Sequence, residues 1–263
     1  MRRKYTFDTG DVMYHLSINS AFPNVLSAGS PGRIRKIAGY LDTEYESIES
    51  ERGLVTIHGR YKDIPITAFS TGMGPASVSI TLPEVIEACD DDNMKIIRLG
   101  TSGALQKNLN IGDFVATTWV ERAETTCDKI MYPGYNAVSD FEVRKALIDA
   151  ARKTKKDYQN IYEGPTRVTD DIYFDALESK RKNHGEVLAV SMEFSVYCAL
   201  RDRYNRDDNR NIKVGNLLTI SDNLVKEAEH VDMTKFKKMQ EEIEDAHIKA
   251  GLEALASLRK ICL

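Results

Sequence analysis

Apolar, β-favouring runs that stop at small-residue turns recur along this chain, and they restrict it to a fold of alternating strands and helices. "NVLSAG" begins at Asn24, "ITAFSTG" at Ile66, "KIIRLG" at Lys95 and "NLLTISDN" at Asn216. Strands are read over Asn24–Ala28, Lys95–Leu99, Asp113–Val120, Val187–Val190 and Val214–Ile220, with Gly53–His58 and Ile64–Ser70 as a hairpin about Gly59. Between them, helices are read over Arg33–Leu41, Pro75–Cys89, Phe141–Lys153 and from about Glu193 to Asp202. A C-terminal helix sets Phe236, Met239, Ile243, Ala246 and Ala250 on one face. The alternation predicts an α/β sandwich, with residues 1–263 forming one domain and its sites at the strand ends.

Composition excludes several classes. The 263 residues carry a net charge of −4, with 42% hydrophobic and 29% charged residues, so nothing marks nucleic acid as a partner. No apolar run approaches the ~20 residues of a membrane span. "MRRKYTFDTGDVMYHL" has basic residues but no apolar signal core behind them, so a cytoplasmic protein is expected. Cys89, Cys127, Cys198 and Cys262 form no CxxC, which argues against a zinc site or a disulfide framework. "RDRYNRDDNR", Arg201–Arg210, reads as a charged loop or frayed helix end rather than a domain boundary.

One residue stands out. Arg98 lies in the apolar run Ile96–Leu99, just before Gly100 to Gly103 are expected to break the strand. A buried charge is costly without a partner. Either a protein carboxylate meets Arg98, or a ligand does. Gly29 opens the turn of "SAGSPGR", where backbone N–H groups can cradle an anion, and Arg33 follows four residues later; a solvated helix face is the alternative. The turn "STGMGPAS", Ser70–Ser77, adds two more glycines. Arg98 and Thr101 flank a third glycine turn, and a guanidinium fork with a hydroxyl suits phosphate. Two arginines, each beside a glycine turn, favour one shared anion over two separate salt bridges. Glu193 opens a helix, where it either complements the dipole or grips two sugar hydroxyls. Asp222 ends a strand within "SDN", a turn sequence that also presents a candidate general acid.

In order and spacing these motifs resemble the nucleoside phosphorylase-I family of bacterial-type purine nucleoside, uridine and methylthioadenosine phosphorylases, from about His15 to the last helix. The resemblance implies a three-layer α/β/α sandwich around a twisted, partly barrel-like mixed sheet. It also implies a pentosyltransferase that converts nucleoside and phosphate to free base and ribose 1-phosphate, with no metal or organic cofactor. Carried over by motif, phosphate is held by Gly29, Arg33, Arg98 and Thr101, and by Arg52 from a neighbouring subunit. Ribose is held by Met73, Met192, Glu193 and the neighbour's His15. The base lies beside Ser102, Gly103, Val190, Asp222 and either Ile172 or Tyr173; a ring stacks better on a base, which favours Tyr173. Arg98 is thus expected to find its partner in the substrate and to have no permanent partner in the protein. Shared sites imply a homo-oligomer, a dimer or a trimer of dimers (a hexamer).

Glycosidic cleavage builds positive charge on the sugar and negative charge on the departing base. Asp222 is expected to protonate a purine at N7 from a dry pocket that raises its pKa. Two departures qualify this expectation. Ser191 stands where purine-acting members carry a first glutamate, and no Gln-x-Arg, the uracil-reading motif, is present, although Lys180 and Arg181 lie nearby. An assisting arginine maps onto Lys235. Purine phosphorolysis is therefore the expected activity, against uridine phosphorolysis, hydrolysis by a nucleosidase, or nucleoside binding without catalysis.

Overall fold

The structure is a computed structural model that describes residues 5–7, 10, 12–42, 44–174, 185–226 and 233–258, the last stretch with side chains from residue 239 onward. Among the described residues ten strands are formed: β1 (Asn24–Ala28), β2 (Glu46–Glu49), β3 (Val55–Tyr61), β4 (Ile64–Ser70), β5 (Lys95–Ala104), β6 (Phe114–Ala123), β7 (Ala137–Val138), β8 (Ile161–Thr169), β9 (Ala189–Ser191) and β10 (Lys213–Asn223). The helices are α1 (Pro31–Ile37), α2 (Pro75–Ala88), α3 (Thr126–Ile130), α4 (Phe141–Thr154), α5 (Phe194–Asp208) and α6 (Met233–Leu258).

The strands form one mixed sheet, and β5 is its hinge line. One edge of β5 pairs with β10 along its length, Lys95↔Lys213 to Ala104↔Asn223, in parallel. The other edge pairs first with β1, over Lys95–Arg98, and then with β9, over Gly103–Ala104. From β1 the sheet runs outward through β4 and β3 to β2. From β9 it continues through β8 and β6 and returns to β10. Strands β5, β9, β8, β6 and β10 therefore close into a ring, through short pairings where β9 meets β5 and where β6 meets β10. Helices α2 and α5 cover one face of the sheet with Val78, Leu82, Val85, Phe194 and Tyr197. On the opposite face lie α1, α4 and α6 with Ile34, Leu147, Leu252 and Leu255. The result is the expected three-layer α/β/α sandwich with a partly barrel-like sheet.

Several element boundaries move. The β3–β4 hairpin turns at Lys62–Asp63, both left-handed (φ 49° and 61°), not at Gly59. Gly59 lies inside β3, where a Cβ would come within 2.5 Å of Leu41 Cδ1. β5 does not break at Gly100; it runs on to Ala104 because β10 and β9 supply ladder partners from distant sequence. Most of Arg201–Arg210 is the end of α5, which stops at Asn209 in the left-handed conformation that ends many helices. Strands β2 and β8 are not foreshadowed by the sequence. Cys89, Cys127 and Cys198 are buried free thiols, and Cys262 lies outside the described residues.

Candidate active site

The C-terminal ends of β1, β4, β5, β9 and β10 converge on one cavity of about 720 Å³. Its lining includes Gly29, Arg33, Met73, Arg98, Thr101, Ser102, Gly103, Ile172, Tyr173, Val190, Met192, Glu193 and Asp222. The turns after β1 and β4 meet closely there: a Cβ on Gly29 would lie 3.0 Å from the Gly72 carbonyl oxygen.

The end of the cavity beside α1 is cationic. Arg33 donates from Nε to Glu244 Oε1 and from Nη1 to the Leu99 carbonyl, both at 3.1 Å. Burial pulls its pKa down, opposed by the Glu244 carboxylate. Glu244 also pairs with Lys36. Arg98 is buried in the protein and, against expectation, has permanent partners there. Its Nη2 forms an ion pair with Glu193, and its Nη1 donates to Asn216 Oδ1 at 3.3 Å. The reason is topological: β10 lies beside β5 with Asn216 in register with Arg98, and Glu193 stands at the residue before α5, just after β9. Arg98 Nε is nevertheless buried without a partner.

Glu193 is almost saturated. Its Oε1 accepts the Gly74 N–H at 3.2 Å, and its Oε2 accepts Arg98 and the Met192 N–H, the latter at 3.1 Å. A carboxylate offers about four acceptor sites, so Oε1 retains capacity for a hydroxyl donor. Met73 stands on the rim, largely exposed. Ser102 donates its hydroxyl to the Thr219 carbonyl at 3.3 Å, while Ser191 Oγ is buried without a partner.

The far end is open. Ile172 and Tyr173 both line the cavity and are exposed. Among the described residues, Tyr173 is held through its backbone N–H, which donates to Asp171 Oδ1 at 2.8 Å. At Asp222 the pairing of β10 with β5 slips by one residue, setting it opposite Gly103; such bulges re-aim side chains. A Cβ on Gly103 would lie 3.5 Å from Asp222 Oδ2. Asp222 accepts the Ser221 hydroxyl at 2.8 Å and is exposed, so the dry surroundings expected for it are not met by the described residues.

His15 and Arg52 are not brought to this cavity. They line a separate pocket of about 400 Å³ with Tyr14 and Glu51. His15 is anchored there by Glu84, whose Oε1 lies 2.7 Å from Nδ1 and also accepts the His15 backbone N–H. Lys180, Arg181 and the Lys235 side chain lie outside the described residues. The sequence reading missed Glu244, Asn216 and His247. Asn216 left a signal, a lone amide in the otherwise apolar "VGNLLTI"; the other two sit unremarkably on a helix. Among the described residues no group of His, Cys, Asp and Glu could hold a metal ion, and no helix is long and apolar enough to cross a membrane.

Comparison with known proteins adds an independent line. The model of the phosphorylase superfamily matches residues 24–257. A uridine phosphorylase of Thermococcus kodakarensis is 36% identical over 149 residues, 57% of this chain and 51%, about half, of that relative. A guanosine phosphorylase of Halorubrum lacusprofundi is 29% identical over 199 residues, 75% of this chain and 77% of that protein. Among solved structures, uridine phosphorylase from Vibrio fischeri superposes with a TM-score of 0.77 at 22% identity, covering 97% of this chain and all of the other.

Proposed function

The chain belongs to the phosphorylase superfamily, and from that premise we propose that it is a nucleoside phosphorylase acting on purine ribonucleosides. It is a pentosyltransferase: phosphate attacks the anomeric carbon, the glycosidic bond breaks, and free base and ribose 1-phosphate are released. The observation that carries this reading is the polarity of a single cavity. Its lining brings together the cations of Arg33 and Arg98, the Thr101 hydroxyl and the carboxylates of Glu193 and Asp222.

The steps follow from charge. Phosphate is held by the unused N–H donors of Arg33 and Arg98, the Thr101 hydroxyl and the Gly29 turn. Glu193 Oε1 accepts a ribose hydroxyl, with Met73 and Met192 packed on the sugar. The phosphate dianion beneath the ring stabilises the oxocarbenium-like transition state and then bonds to it. Tyr173 covers the base, which sits beside Ser102, Gly103 and Val190. Asp222 gives its proton to N7 as negative charge builds on the purine. Asp222 is exposed in the chain itself, and the bound base is what covers it from water.

His15 and Arg52 act from a second copy of the chain, which supplies the 5′-hydroxyl contact and a further phosphate cation. The active unit is therefore a homo-oligomer in which residues 1–263 work as one domain. The protein acts in the cytoplasm in nucleoside salvage, with phosphate as co-substrate and no cofactor. Uridine phosphorolysis is a second reading, favoured by the 36% identity to the archaeal relative. A panel of inosine, guanosine, adenosine and uridine, with and without phosphate, tests both. Base release that requires phosphate and is fastest with a purine nucleoside is expected. Release without phosphate would establish a hydrolase instead, and uridine as the best substrate would replace the purine assignment.

A further inference from the structure

The Arg98 side chain lies flat along its own strand, folded down over position 100. A Cβ placed on Gly100 would sit 1.8 Å from Arg98 Nη1 and 2.7 Å from Cζ. The guanidinium thus occupies the space a side chain two residues on would fill. Strand alternation puts Arg98 and Gly100 on one face of β5, beside Asn216 and Leu218 of the register-matched β10. Only glycine at position 100 leaves that space.

The second constraint is Asn216, which is fully buried. A guanidinium can only donate, so the Asn216 amide must turn its oxygen to Arg98 Nη1. Its nitrogen is then committed to Thr117 Oγ1 at 2.9 Å, and Thr117 Oγ1 lies 3.2 Å from Thr166 Oγ1. Asn216, Thr117 and Thr166 are all buried, so a polar chain across the strand ring fixes which way the amide faces. Glu193 grips Nη2 from the opposite side.

Five donors can then be apportioned. One Nη1 hydrogen goes to Asn216 and one Nη2 hydrogen to Glu193. Nε–H has no protein partner although it is buried, and one hydrogen on each Nη is left over. We propose that Asn216 and Gly100 are positioning residues for phosphate: they clamp Arg98 in its folded-down pose so that its uncommitted donors face the anion. This rests on the phosphorylase reading above. Asn216 is fully buried and outside the cavity lining, and Gly100 gives that lining backbone alone; each acts through the guanidinium.

The test is the dependence of initial rate on phosphate, at saturating nucleoside, for wild type, Asn216→Ala and Gly100→Ala. Misplacing a clamped group by about 1 Å costs on the order of 100-fold, so each variant should raise the KM for phosphate roughly 10- to 100-fold. The KM for nucleoside, read at saturating phosphate, should stay within about threefold, a split that a merely structural role does not produce. Phosphate-induced elevation of Tm supplies a readout without turnover: it should be present in wild type and much reduced in both variants, whatever their basal Tm. Should Asn216→Ala not fold, Asn216→Ser carries the same expectation. An unchanged phosphate KM and an undiminished phosphate-induced Tm rise in a folded variant overturn the proposal. Phosphate-independent base release by wild type would remove the phosphorylase reading itself, an outcome seen before any variant is compared.

Discussion

The two ends of the cavity are built on opposite principles. At the phosphate end, Arg98 and Glu193 are 3% and 5% exposed and bonded to each other, to Asn216 and to backbone N–H groups. At the base end, Tyr173 is 81% exposed, Ile172 51%, and Asp222 is held by one neighbouring hydroxyl. The first end is set before any ligand arrives; the second is completed by what binds. Preorganised charges give strong, geometry-dependent stabilisation, whereas an open rim accommodates bases of different shape. Changes at the first end should therefore disturb folding and phosphate together, and changes at the second should alter rate and substrate choice while leaving stability alone.

The largest effect is expected from Arg98→Ala. Without Arg98, Glu193 becomes a buried carboxylate lacking its counter-charge, and such deletions typically cost about 3–5 kcal/mol. Phosphate use should collapse and Tm should fall by on the order of 10 °C. Thermal unfolding decides the point: an unchanged Tm would mean that the Arg98–Glu193 pair contributes nothing to the fold. Asp222→Asn should do the reverse. Loss of a general acid is worth ~10²–10⁴ in rate, so phosphorolysis of inosine should drop by that factor, while stability changes by no more than about 0.5 kcal/mol as for other exposed positions. A uridine rate lowered as much as the inosine rate would show that Asp222 is not serving N7.

The next effect concerns pH. His247 is buried beneath the phosphate end, donating from Nε2 to the Leu217 carbonyl at 2.9 Å. Burial, reinforced by the charges of Arg33 and Arg98, pushes its pKa down to about 3, well below the ~6.5 of an unfolded chain. The native state holds the neutral ring, so its contribution is complete above pH 6.5 and declines as pH falls from there toward 3. At pH 5 the loss amounts to about 2 kcal/mol. Denaturant unfolding at pH 8 and pH 5 should show a drop larger by about that amount in wild type than in His247→Gln, where buried His58, its pKa also lowered by burial, still contributes; an equal drop in both would assign it to other groups. The smallest effect is Tyr173→Ala, where loss of stacking worth about 0.5–1.5 kcal/mol should raise the nucleoside KM a few-fold and leave the phosphate KM alone. An effect confined to Ile172→Ala would exchange the two residues' roles.

The same contrast governs what the sequence disclosed. Gly29 and Arg33, at the turn that leads from β1 into α1, and Asp222, one residue from the end of β10, were legible because local chemistry marks those places. So were β1, α2 and α4, whose apolar spacing is local. What escaped notice depends on distant partners. Arg98 meets Glu193 across 95 residues and Asn216 across 118, and no local pattern announces either contact. Gly100 looked like a strand breaker because its neighbours on β9 and β10 were unknown. β8 contains Pro165 and charged Glu163 and Arg167, which obscure its alternation. Glu244 carries no mark in sequence; only the packing of α6 against Arg33 gives it a role.

The ring of five strands has a consequence for synthesis. Its closing contact joins β5 to β10, and the chain between them must be made first. A ribosome-bound chain that has just released β5 holds Arg98 with neither its carboxylate nor its amide partner yet translated. Local contacts cannot substitute, and such long-separation pairing is slow to form. The charge that anchors the finished site thus waits 95 residues for its carboxylate and 118 for its amide, and folding of the ring awaits the last strand. Emergence of β10 and α6 from the exit tunnel, rather than completion of any earlier βα unit, sets the moment at which an active centre exists.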